Sequence, residues 1–95
     1  MSTPRPRPIH PGEILREDFL PEYSLTAGSL AKALHVPRDR VEKLIREKRA
    51  ISADTAMRLA RYFGTTPQFW MNLQANFDLA SVAEDEISSI EPRAA

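Results

Sequence analysis

Two stretches of this chain repeat one apolar spacing, and that repetition constrains its fold more than any other feature. Ala27, Leu30, Ala31 and Leu34 fall at i, i+3, i+4 and i+7, and so do Ala56, Leu59, Ala60 and Phe63. Residues spaced in this way line one face of a helix, which is stable only if that face is covered. Each stripe is also punctuated as helices are. Thr26 is placed to cap the first, which His35-Val36-Pro37 then stops, and Ser52 is placed to cap the second, with Asp54 complementing the dipole and Gly64 at the end. Between them Pro37 opens a shorter helix over about residues 37 to 46, whose inner face is Val41, Leu44 and Ile45.

Ile14, Leu15 and Phe19 predict an earlier helix over about residues 12 to 20, broken near Pro21. Thr66-Pro67 restarts the chain for a fifth helix, on which Phe69, Trp70, Leu73 and Phe77 share one arc, with Phe69, Leu73 and Phe77 expected in the core. Strand alternation is absent. The expected fold class is therefore all-α: a compact five-helix domain over 12–79, preceded by a flexible Pro/Arg-rich arm over 1–11 and followed by an acidic, weakly ordered tail over 80–95.

The chain has no cysteine, which excludes disulfides, thiolate metal sites and cysteine nucleophiles. His10 lies near Glu13 and Glu17, but no second histidine or thiol is nearby to complete a metal shell, so no metal or cofactor is expected. Two scattered histidines leave Ser24, Ser29 and Ser52 without a base, and the chain is expected not to be an enzyme. No apolar run approaches the ~18 residues needed to cross a bilayer, so a cytoplasmic protein without membrane contact is expected.

A net charge of zero hides an asymmetry along the chain. Residues 32–61 hold nine basic side chains against four acidic ones, whereas residues 78–95 hold five acids and only Arg93. The first segment is suited to a phosphate backbone and the second would be repelled by one. Two short helices joined by a three-residue turn, the second with a charged outer face, make a helix-turn-helix that places the second helix in a major groove. On it Lys43 and Arg46 can reach guanine O6 and N7, and Asp39 or Glu42 can accept from cytosine N4. Arg38, Arg40, Lys48 and Arg49 are better placed for phosphates. The bland alternative is a solvated face, since Asp39 to Lys43 and Glu42 to Arg46 are also i,i+4 ion pairs. The fifth helix is apolar on more than one side, and Trp70, Met71 and Leu79 are expected at a homodimer interface.

The stretch from Leu30 to Leu79, extended by HPGEIL at 10–15, resembles the HigA and VapI antitoxins within the phage-repressor-like (XRE/Cro, lambda-repressor-like) helix-turn-helix family. Its most diagnostic block is GTTPQFWMNLQANFDL, with Phe69-Trp70, Asn72-Leu73-Gln74 and Asp78-Leu79. The resemblance implies a dimer that binds a palindromic operator in double-stranded DNA, represses its own operon and restrains a cognate HigB/RelE-like ribonuclease toxin. The alternatives are a protein-interaction module and a solitary helix-turn-helix regulator without a toxin. The chain departs from the family pattern at Asp39, often a neutral polar residue, and at Arg46-Glu47, in place of an Asn-Gly-type pair. It departs again at His35, where glycine is common and another residue costs up to about 1 kcal/mol if φ is positive.

Overall fold

The computed structural model describes residues 7–94, and no strand occurs among them. An N-terminal helical rod begins with α1 (Pro11–Ile14), widens into a π-helical stretch over Leu15–Phe19, and closes with α2 (Leu20–Glu22). The expected break near Pro21 is replaced by this wide turn. Proline lacks an N–H and its ring would strike the carbonyl four residues back. In the structure the Leu20 N–H reaches five residues back to the Leu15 carbonyl, and the rod continues through Pro21.

The next four helices follow the sequence punctuation closely. Helix α3 (Ala27–Leu34) starts at a reciprocal box, the Ser29 amide donating to Thr26 Oγ1 at 3.1 Å and the Thr26 amide to Ser29 Oγ at 2.8 Å. Helix α4 (Arg38–Ile45) follows Pro37, which stands just outside the helix as its cap residue rather than inside its first turn. Helix α5 (Ala53–Phe63) is capped by Ser52 and terminated by Gly64 at φ 74°. Helix α6 (Pro67–Ala80) is capped by Thr66, whose Oγ1 accepts from the Phe69 amide at 3.1 Å. A short α7 (Glu84–Ser88) lies in the acidic segment.

The core gathers Leu15 and Leu20 from the rod, Leu30 and Leu34 from α3, Val41 and Leu44 from α4, Ile51, and Ala56 and Leu59 from α5, around Trp70 of α6. Trp70 requires a correction: expected at a subunit contact, its side chain is wholly buried within one chain and its Nε1 donates to Thr65 Oγ1 at 2.8 Å. Phe69, expected inside, lies at the periphery with 38% exposure. Gln74 is buried instead, its Oε1 accepting from the Ile51 amide at 2.7 Å and its Nε2 donating to Asp78 Oδ1 at 2.9 Å. That pairing satisfies a buried amide at the start of α5 that no helix bond reaches.

The solvated arm also ends earlier than expected, because His10 and Pro11 are buried. His10 Nδ1 accepts from the Gly12 amide at 2.8 Å and so caps α1, while its ring meets Phe77 edge-on at 4.9 Å. Gly12 is required by packing: a Cβ there would come within 1.8 Å of the Leu44 carbonyl oxygen. Residues 1–6, which make up the rest of the arm, lie outside the described residues.

Candidate nucleic-acid interface

Helices α3 and α4 are joined by a tight turn whose geometry is set by hydrogen bonds at the end of α3. The His35 and Val36 amides return to the Lys32 and Ala31 carbonyls at 3.2 and 3.0 Å, and His35 itself adopts φ 59°. The positive φ anticipated at this position is present in a non-glycine residue. Val36 packs against the core, which fixes the direction in which α4 departs.

On α4, Val41 and Leu44 face inward, while Arg38, Asp39 and Lys43 are exposed and Arg40 and Glu42 are half-buried. Lys43 pairs with Asp39 at 3.1 Å as its spacing predicts. Glu42 does not pair with Arg46; it accepts from Arg38 Nε at 2.6 Å. The reason is that α4 ends at Ile45, so Arg46 has left the helical face on which i,i+4 pairs meet. Arg40 leans back to Asp54 of α5 at 2.8 Å.

Past the end of α4 the charges are differently placed. Glu47 sits at φ 61°, and the Glu47 and Lys48 amides close back on the Leu44 and Lys43 carbonyls at 3.0 and 2.8 Å. The resulting loop projects Arg46, Lys48 and Arg49 into solvent, and none of the three makes an ion pair among the described residues. The eight residues expected at DNA thus divide into two electrostatic parts: paired charges on α4 and unpaired cations on the loop that follows it.

Two arginines from outside the motif hold it at its helix ends. Arg58 of α5 donates to the Leu34 carbonyl at 2.9 Å, capping α3, and pairs with Asp54 at 2.9 Å. The Arg58 hydrogen bond, aided by Arg40 against the opposing effect of desolvation, holds the Asp54 carboxyl below its ordinary value. Arg16 of the rod donates to the Ile45 carbonyl, capping α4, and to Glu47 Oε2 at 3.2 Å. Sequence reasoning missed both, since partners 24 and 29 residues apart leave no local pattern. His10 lies close to the same loop: burial lowers its pKa, opposed by Glu47, a hydrogen bond to the Arg49 backbone and Asp78, and reinforced by Arg16.

Of the remaining candidates, Met71 and Leu79 are 38% and 73% exposed on α6. Among the described residues no helix is long and apolar enough to cross a membrane.

A profile of the family described as helix-turn-helix matches residues 15–70. The chain is 52% identical over 80 residues to virulence-associated protein I of Dichelobacter nodosus, covering 84% of this chain and 74% of that one. It is 38% identical over 79 residues to antitoxin HigA-1 of Vibrio cholerae, covering 83% and 74%. Among solved structures, the Pseudomonas aeruginosa antitoxin HigA with higBA promoter superposes with a TM-score of 0.86 at 51% identity, covering 90% of this chain and 98% of that one.

Proposed function

Since the chain belongs to the helix-turn-helix family, we propose that it is an antitoxin that binds a palindromic operator as a homodimer, represses its own operon and neutralises a cognate HigB/RelE-like ribonuclease toxin. It acts in the cytoplasm, where its DNA is, and without catalysis. The observation that carries the reading is the loop of unpaired cations, Arg46, Lys48 and Arg49, directly after a helix whose outer face is polar. Unpaired cations gain most from phosphates, because no internal partner has to be given up. The relatives named above supply the antitoxin and promoter chemistry.

In this reading α4 lies in a major groove with Asp39, Glu42 and Lys43 toward base edges, and Arg46 reaches guanine from the helix end. Arg38, Arg40, Lys48 and Arg49 face phosphates, with Arg38 and Arg40 exchanging their carboxylate partners for DNA on binding. Two copies related by a twofold axis, in contact through Met71 and Leu79, present their recognition helices about one helical turn apart, ~34 Å.

The experiment compares Arg46→Ala with Arg49→Ala on the upstream region of the chain's own gene. Arg46→Ala should relax preference at one base pair by about 1–3 kcal/mol, whereas Arg49→Ala should weaken all duplexes alike and lower the salt slope by about 1. Equal losses on operator and random DNA for both variants would remove Arg46 from base recognition.

A further inference from the structure

We infer that Arg16 is a positioning residue for DNA recognition: from the N-terminal rod it fixes the end of α4 and the path of the cationic loop, without touching DNA itself. The inference rests on the operator-binding reading above and adds to it the part that sets the geometry.

Three features of Arg16 lead here. First, each nitrogen of its guanidinium has a partner inside the chain. One terminal nitrogen donates to the Ile45 carbonyl, the other to Glu47 Oε2 at 3.2 Å, and Nε to Glu17 Oε1 at 3.2 Å. With three of its five N–H groups committed inside the chain, Arg16 has fewer left for a phosphate than Arg46 or Arg49, and Arg46, Lys48 and Arg49 make no ion pair among the described residues. Second, the two distant acceptors are the last turn of α4 and the residue at which the backbone reverses. Glu47 holds φ 61°, a conformation in which a side chain other than glycine is strained, and Arg16 ties down the carboxylate of that same residue. A cation at the end of a helix also complements its dipole. Third, the platform is rigid where the lever acts. Gly12 lies so close to the Leu44 carbonyl that no Cβ fits, and His10 and Leu15 on either side are buried. A shift of the rod is therefore passed directly to the end of α4.

A positioning role and a phosphate contact predict different outcomes. Affinity is measured for Arg16→Ala and Arg16→Lys on the operator and on a scrambled duplex over a range of salt, with thermal unfolding alongside. Arg16→Ala is expected to lose about tenfold on the operator and less than about twofold on scrambled DNA, with the salt slope unchanged. Lysine keeps the charge but lacks the fork that spans two acceptors, so Arg16→Lys should restore only part of the loss. Glu47→Gly, which relieves the backbone and removes the partner, should raise affinity for scrambled DNA by removing a negative charge yet lower the operator-to-scrambled ratio.

Wild-type affinity on the operator, or equal losses on both duplexes with a lower salt slope, would overturn the inference for Arg16→Ala. Full restoration by lysine would overturn it too. If Arg16→Ala does not fold, Arg16→Lys and Glu47→Gly decide the question by the same ratio. A wild-type protein that fails to prefer its operator would instead bring down the operator-binding reading, a result the variants are not needed to see.

Discussion

The N-terminal joint and the C-terminal end of this chain carry comparable side chains and use them in opposite ways. At the joint, His10, Pro11, Gly12 and Leu15 are buried between α4 and α6, and a polar imidazole is accommodated because both a backbone amide and an aromatic ring are waiting for it. At the other end, Leu79, Val82, Ile87 and Ile90 are 51–73% exposed, and among the described residues the hydrogen bonds between Ser81 and Ile90 stay within their own turns. Residue type does not separate the two regions; the presence of a facing surface does. The joint packs against both α4 and α6, whereas α7 is only five residues long and every one of its side chains is exposed among the described residues. An isolated helix of that length is not held by its own hydrogen bonds.

The contrast is sharpest at Gly12. Gly12→Ala is expected to cost about 3 kcal/mol or more, since the atom in the way is a backbone oxygen that cannot swing aside. Urea unfolding measures it, and a loss under about 1 kcal/mol would mean that the joint is looser than its contacts imply. Operator affinity should fall with it, because Gly12 rests on the same last turn of α4 that Arg16 caps.

A smaller effect should appear at His10 as pH falls. Burial holds its folded pKa below the ordinary 6.5, so the unfolded chain takes up the proton first. The stability of the neutral, capping imidazole is therefore intact above about pH 6.5 and is lost as pH drops from there toward the folded value. Protonation also places a hydrogen on, or turns away, the nitrogen that accepts from Gly12. His10→Asn keeps a capping acceptor but cannot titrate, and should flatten the stability curve as pH falls below about 6.5. An unchanged curve would assign acid sensitivity in that window to another group.

The smallest effect on folding is expected at the opposite end. Met71→Glu with Leu79→Glu should leave monomer stability within about 0.5 kcal/mol, because both side chains already meet solvent in the single chain. If they form the proposed subunit contact, mass in solution should halve and operator binding weaken while helicity persists. Unfolding would make this end as structural as the joint and erase the comparison.

Much of the fold was legible because its signals are local. The stripes of α3 and α5, the caps at Thr26, Ser52 and Thr66, and the stop at Gly64 lie within a few residues of the turns they govern, and the structure places helices there. The charged surface of α4 and its loop was legible for the same reason, down to the Asp39 to Lys43 pair. On α6 the periodicity points to Phe69 inside and Trp70 at a contact, whereas Trp70 and Gln74 are the buried pair. Periodicity identifies a face, but which residue on it is central depends on what stands opposite, here Thr65 for the indole and the Ile51 amide for the carboxamide.

What tertiary structure alone decided is what holds the reading unit in place. Arg16 and Arg58 cap helices to which they do not belong, His10 caps the rod while resting on Phe77, and Gly12 yields its side chain to a carbonyl 32 residues away. Each role joins groups far apart in sequence, and a hydrogen bond or steric contact exists only once the chain has brought both partners together. Local residue order sets which segments become helices and where their charges lie; the packing of those helices sets which charges are engaged in holding the fold and which stay unpaired.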